Sequence, residues 1–175
     1  MPTQIKPTQG QSQMLKLLLA GGLSLSAALS GVFLTGPSES KVNKSYNDPV
    51  GILTACYGHT GVDVKPNTIY TDAQCLEWLI SDLTKEEQDV DDAIHVPLNL
   101  YQRAALDDFD HNVGKTKFTN STLVKYFNEG NTQAGCEQLV RWVYAGGKKL
   151  PGLEARRRLE MSWCLGEVEV DGVTH

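Results

Sequence analysis

The chain has 175 residues, 41% of them hydrophobic, which suits one ordinary domain with a real core plus an additional segment. Its formal net charge is −5, and that balance excludes a generic nucleic-acid binder. The charge is uneven: before residue 39 the only charged side chains are Lys6 and Lys16.

The run from Leu17 to Gly36, LLLAGGLSLSAALSGVFLTG, carries no charge. Twenty helical residues reach about 30 Å, the thickness of a bilayer's hydrocarbon core. The run is only weakly apolar. Gly21, Gly22, Gly31 and Gly36 lower helix propensity, and Ser24, Ser26, Ser30 and Thr35 lower hydrophobicity. Lys6 and Lys16 flank its N-terminal side, which orients a span with the N-terminus in the cytoplasm. An uncleaved signal anchor is the preferred reading. A cleaved signal peptide (SAALS offers small residues for a peptidase) and a buried core helix remain as alternatives. The first two imply export. Segmentation follows as 1–36, the anchor, and 37–175, the remaining domain.

The four cysteines, Cys56, Cys75, Cys136 and Cys164, all lie beyond that run, and an even count in an oxidising compartment suggests disulfides. Among three connectivities the local pairing, Cys56–Cys75 with Cys136–Cys164, is preferred. A zinc site is disfavoured, because no C-x-x-C occurs and His59, His95, His111 and His175 are scattered.

Residues 37–47 read as short, polar and irregular, and NDP as a turn. VGILTACYGHTGVDV, rich in β-branched and aromatic residues and broken by glycines, predicts a small twisted hairpin. Thr71 caps a predicted helix from Asp72 to about Ala93, with Leu76, Leu79, Ile80 and Leu83 at helical spacing. A second helix follows Pro97 and stops at Gly114. A third, NSTLVKYFNEG, starts from Asn120 or Ser121 and stops at Gly130. TQAGCEQLVRWVY predicts a fourth, AGGKKLPG a loop, and LEARRRLEMSWCLG the last helix; the tail EVEVDGVTH should fray. The plan is α+β: a small β-hairpin lobe beside a larger helical lobe, with a cleft between them.

Glu39, Asp48 and Thr54 stand at E-x8-D-x5-T spacing, three residues beyond the apolar run. Two carboxylates flanking a cleft are what cleavage of a glycosidic bond needs, one protonated to donate to the leaving oxygen and one ionised. Glu39 lies where apolar structure ends, so partial burial favours the acid form. Asp48 lies in a hydrophilic turn suited to the carboxylate. A threonine hydroxyl donates and accepts at once, so Thr54 suits holding a water against Asp48. Spacing alone also fits a turn-forming Asp48 and a solvated Glu39.

The same pattern, continuing as TACYGHTG, resembles the phage-type lysozymes, glycoside hydrolase family 24. Further matches follow in order: NVG at Asn112–Gly114, FTNSTL at Phe118–Leu123, RW at Arg141–Trp142, and YAGGKKLPGL leading to RRR. The resemblance implies a lysozyme-like fold and hydrolysis of the β-1,4 bond between N-acetylmuramic acid and N-acetylglucosamine in peptidoglycan. Glu39 would be the general acid, with Asp48 and Thr54 placing the water and the anomeric carbon inverted. The two carboxyl groups should then lie roughly 6.5–9.5 Å apart. The resemblance implies no metal or cofactor. His59 matches a family histidine, for which a structural bond fixing the hairpin is favoured over a catalytic role. Ser121 matches a substrate-contacting serine that also suits a helix cap. One of Arg156, Arg157 and Arg158 should partner Glu39 or an anionic glycan, with two of the three solvated; Trp142 and Trp163 read as core. Asp108, Asp110 and His111 depart from the more apolar or aromatic residues of relatives, and Thr116 stands where many have glycine.

The apolar run before Glu39 resembles that of the signal-anchor-release endolysins of double-stranded DNA phages. It implies an enzyme held inactive at the host inner membrane through residues 17–36, then released to the periplasm as a monomer, with collapse of the membrane potential as the trigger. A non-catalytic wall-binding protein and a lytic transglycosylase are the rivals; Asp48 with Thr54 argues against the second.

Overall fold

The computed structural model describes residues 1–173; Thr174 and His175, the end of the tail expected to fray, lie outside the described residues. The elements run β1 (Thr3–Ile5), α1 (Gln9–Ala20), α2 (Leu25–Leu29), a π-helical turn (Ser30–Thr35), α3 (Gly36–Glu39), β2 (Val42–Asn47), β3 (Leu53–Cys56) and β4 (His59–Thr60). There follow α4 (Asp72–Ala93), α5 (Leu100–Val113), α6 (Lys115–Thr119), α7 (Thr122–Asn128), α8 (Thr132–Glu137), a 3-10 turn (Leu139–Arg141), β5 (Tyr144–Ala145), β6 (Lys148–Lys149), α9 (Pro151–Cys164) and β7 (Val168–Val170). The small lobe is the antiparallel sheet β2-β3-β4, and the helices form the large lobe.

Residues 17–36 are not one helix. Helix α1 starts at Thr8 with a capping box through Gln11 and ends at Gly21. Gly22, at φ +93°, takes the chain through a turn that an L side chain resists. Ser24 then caps α2. Among the described residues no helix is long and apolar enough to cross a membrane. The apolar side chains of the run instead enter the main core: Leu18, Leu23, Ala27, Ala28, Leu29, Val32, Phe33 and Leu34 are all buried. A leucine fully buried this way contributes about 1.5–3 kcal/mol, enough to hold a segment of poor helix propensity in place. Gly31 permits the contact, since a Cβ there would lie 2.7 Å from Leu83 Cδ1 on α4.

Helix α4 buries Cys75, Leu79, Leu83, Glu86, Val90 and Ala93, one stripe at steps of three and four, behind the Thr71–Gln74 capping box. Helix α5, capped by Asn99, is buried along most of its length because α2, α4, the π-helical turn and α9 surround it. Both disulfides, Cys56–Cys75 and Cys136–Cys164, are the expected local pairs.

Four regions differ from expectation. Residues 37–47, read as irregular, hold the end of α3 and the strand β2, which pairs with β3. The predicted fourth helix ends at Glu137, and after the 3-10 turn the chain forms the hairpin β5-β6, not a loop. Gly146 and Gly147, at φ +56° and +75°, supply the double positive-φ turn that a two-residue hairpin requires. The link after Gly114 forms α6, which carries Phe118 into the core. The tail does not fray through Val170: β7 pairs in parallel with β1, and Val170 donates its N–H to the Tyr101 hydroxyl.

Candidate active site

Glu39 ends α3, and Ser40 follows at φ +48°, turning the chain sharply into β2. A non-glycine residue there stores about 1–3 kcal/mol of backbone strain. Beside Glu39 opens a cavity of about 740 Å³, lined by Pro37, Ser38 and Glu39, by Asn112 at the end of α5, and by Leu150–Gly152 and Arg156 at the start of α9. On its other side Glu39 meets the small lobe. Gly58, in the β3–β4 turn at φ +82°, would place a Cβ 3.1 Å from Glu39 Cδ, so only glycine lets the hairpin approach the carboxyl.

Asp48 and Thr54 do not line that cavity. They sit on the β2–β3 hairpin and converge on one residue, Ile52. Asp48 Oδ1 accepts the N–H of Ile52 at 2.8 Å and that of Val50 at 2.9 Å, and Thr54 Oγ1 donates to the Ile52 carbonyl at 3.0 Å. The turn therefore holds the carboxylate while the carboxylate holds the turn. Tyr46 lies opposite Thr54 in the sheet. Burial raises its phenol above the ordinary value, and the Glu39 and Asp48 carboxylates add to that rise, so both act on one neighbourhood.

Arg156 holds Glu39 from behind, donating from Nη1 to Glu39 Oε1. Its Nε and Nη2 grip Asp108 at 3.0 and 2.8 Å in a bidentate pair, and Asp108 also accepts from Thr35 Oγ1 at 2.7 Å. Burial alone would raise Asp108, but Arg156 overrides it and holds the carboxyl well below the usual range. Arg157 is fully buried too, donating to Glu160 and lying 4.9 Å over the Phe109 ring. This corrects the expectation that two of the three arginines are solvated: only Arg158 is exposed, because Arg156 meets Asp108 on α5 and Arg157 meets Glu160 one turn along α9. Trp163 is fully buried and Trp142 packs edge-on against Phe109, as core residues.

His59 is buried in the small lobe. Its Nδ1 pairs with Asp82 at 2.6 Å and its Nε2 with Asp63 at 3.1 Å, while the ring stacks on Trp78 at 4.3 Å. Those contacts are the structural bond favoured for it and tie the hairpin to α4. Ser121 caps α7 by accepting from the Val124 N–H, outside the lining of the cavity. Asp107, Asp110 and His111 line α5 against the acidic face of α4. Burial would lower His111, but the Glu86 carboxylate at 2.6 Å raises it to about 9. Burial, with Asp89 and Glu86 nearby, pushes Asp110 up to about 7. Among the described residues no group of three or more His, Cys, Asp or Glu side chains could hold a metal ion.

Sequence reasoning singled out Glu39, Asp48 and Thr54 but passed over Tyr46, Gly58 and Thr35. Gly58 lay inside the TACYGHTG stretch; Thr35 had no signal, because its partner Asp108 is 73 residues away.

The family profile described as Phage lysozyme matches residues 37–160. The SAR-endolysin of Bacteriophage PS119 is 42% identical over 143 residues, covering 79% of this chain and 86% of that protein. The SAR-endolysin of Enterobacteria phage P21 is 39% identical over 143 residues, covering 79% and 87%. Among solved structures, the active form of P1 phage endolysin Lyz superposes with a TM-score of 0.76 at 22% identity, covering 89% of this chain and 93% of that one, a likeness of fold. The endolysin from Escherichia coli O157:H7 phage FAHEc1 gives a TM-score of 0.67 at 31% identity, covering 83% and 94%.

Proposed function

The chain belongs to the phage lysozyme family, and from that premise we propose that it is an endolysin hydrolysing the β-1,4 bond between N-acetylmuramic acid and N-acetylglucosamine in peptidoglycan. The observation that supports it is the position of Glu39, between the cavity and the β3–β4 turn of the small sheet, whose β3 also carries Thr54 and whose β2–β3 turn carries Asp48. A glycan strand seated along that line presents its glycosidic oxygen to Glu39. Glu39 delivers a proton to the leaving oxygen, which requires the carboxyl to part from Arg156 in its protonated form. Asp48, fixed by the Val50 and Ile52 amides, takes a proton from a water that the Thr54 hydroxyl orients. Attack from the face opposite the leaving group inverts the anomeric carbon. Ser121 and His59 are carried as glycan-contacting residues by the family resemblance alone.

Residues 17–36 are proposed to span the host inner membrane first, N-terminus in the cytoplasm, and to leave it before the fold described above is complete. Residues 1–36 are then the anchor and 37–175 the catalytic part of one monomeric chain. The segment's own make-up supports this: eight side chains apolar enough for lipid are also those that fill the core. Glycines and hydroxyls keep the lipid-bound state weak.

The test is product analysis of digested cell walls by mass spectrometry, with Glu39→Gln as control. Reducing muropeptide ends from the parent chain and none from the folded variant are expected. Anhydro ends would assign a lytic transglycosylase, and wall binding without cleavage would leave a glycan-binding protein. Fractionation before and after depolarisation checks the membrane step; a chain wholly membrane-bound afterwards overturns it.

A further inference from the structure

We propose that β1 and β7 form a latch: the strand ahead of the apolar run closes on the strand after α9 once the run has left the bilayer, and then keeps it out. The inference rests on the membrane-release reading of residues 17–36. Thr3–Ile5 pairs in parallel with Val168–Val170, residue against residue. The Thr3 N–H donates to the Glu167 carbonyl at 2.7 Å, and the Asp171 N–H donates to the Ile5 carbonyl at 2.8 Å. Gln4 Nε2 donates to Glu169 Oε2 at 2.8 Å on the exposed face, and Ile5 packs against the main core.

Three bonds hold the receiving strand without help from residues 1–36. Cys164, at the end of α9, is tied to Cys136. The Glu167 N–H donates to the Ser162 carbonyl at 2.9 Å, and the Val170 N–H donates to the Tyr101 hydroxyl on α5 at 2.8 Å. Successive N–H groups of a strand point to opposite sides. That of Val170 faces α5, so that of Asp171 and the Glu167 carbonyl face the side where β1 lies. Without β1 this side of β7 is an unpaired edge, a template for one more strand.

The two strands begin on opposite sides of the membrane. With the run in the bilayer, Thr3–Ile5 and Lys6 lie in the cytoplasm and Val168–Val170 beyond the other face. No strand pair spans about 30 Å of hydrocarbon. A negative-inside potential opposes outward passage of Lys6 and Lys16, and its collapse removes that opposition. In the fold both lysines are exposed, so neither charge is buried by closure. Return of the run to lipid then first requires the strand pair to break. Burial of the run's apolar side chains draws it into the core, and the latch fastens its far end.

The test follows the full chain in cells with an energised inner membrane and reads the ratio of released to membrane-bound protein after depolarisation. Thr3→Pro removes the N–H given to Glu167 while the side chain it replaces is exposed. It is expected to lower the ratio about two- to tenfold, the weight of one hydrogen bond. Thr3→Ala keeps the N–H and should match the parent. Gln4→Glu sets a carboxylate against Glu169 and should also lower the ratio, although its added negative charge by itself eases outward passage. Adding Glu169→Gln to that variant should restore the ratio, since donor and acceptor have changed places. The released fraction of every variant should keep the parent's kcat and near-UV circular dichroism. Thr3→Pro released like the parent overturns the latch, as does Gln4→Glu released more readily than the parent. Should Thr3→Pro fail to fold, the Gln4→Glu pair of variants decides by the same ratio. A parent chain that stays in the membrane after depolarisation sinks the anchor reading instead.

Discussion

The ring of Phe33 lies 5.9 Å from that of Trp163, centroid to centroid. A residue from the run apolar enough for a bilayer thus packs on the last helix of the chain, and residues 17–36 are part of the folded core. Phe33→Ala should destabilise the released protein by about 3–5 kcal/mol, through lost burial plus the cavity left behind. Urea titration followed by Trp fluorescence measures this. A chain beginning at residue 37 should lack a cooperative transition, and a clean one would show that the core closes without the segment.

Asp48 has two separable tasks. Asp48→Asn keeps an oxygen for the Val50 and Ile52 amides but cannot take a proton from water. It should fold with near-parental stability and lose activity by about 10²–10⁴-fold. Asp48→Ala should lose the same activity and also about 0.5–1.5 kcal/mol, because two exposed turn amides exchange their acceptor for water. Steady-state turbidity assays beside thermal melts separate the two; an active Asp48→Asn enzyme would remove Asp48 from the chemistry.

His59 is held by Asp82, Asp63 and the Trp78 ring. Burial opposes its charge, but the two carboxylates overcome it and raise its pKa in the fold. A raised histidine adds stability that is complete below about pH 6.5, its unfolded value, and is lost as pH rises through the folded value. His59→Gln should therefore cost more stability at pH 5.5 than at pH 9, while kcat changes less than about threefold. Equal destabilisation at both pH values would count against the charged pair.

The α4–α5 interface gives a second pH dependence. Asp110 is raised to about 7, so the fold prefers its neutral form. That preference is fully satisfied below the unfolded value of about 3.9 and turns into a cost as pH rises towards 7. His111, raised to about 9, adds stability below about 6.5 that disappears as pH passes 9. Both act in the same direction, so stability should decline from mildly acidic to alkaline pH. Asp110→Asn should flatten the part between about pH 4 and 7 in urea midpoints, and an unchanged slope there would place the titration elsewhere.

The helices whose apolar side chains recur with a helical period were legible in the sequence, because period and caps are local. Asp72–Ala93 has its stripe and its Thr71 box, and Asn99 and Ser121 cap where the chain must turn. The hairpin that carries Asp48 and Thr54 was legible for the same reason: a short turn and the residues around it lie close together in the chain. What tertiary structure alone decided was where partners come from. The Leu17–Gly36 run carries apolar side chains that any apolar surrounding rewards, and only the helices packed beside it place them in the protein core. Thr35, Asp108 and Arg156 are far apart in sequence and meet because α5 and α9 pack against the π-helical turn. One more arginine than expected is buried, because Asp108 on α5 meets Arg156 across that packing and Glu160, one turn along α9, meets Arg157.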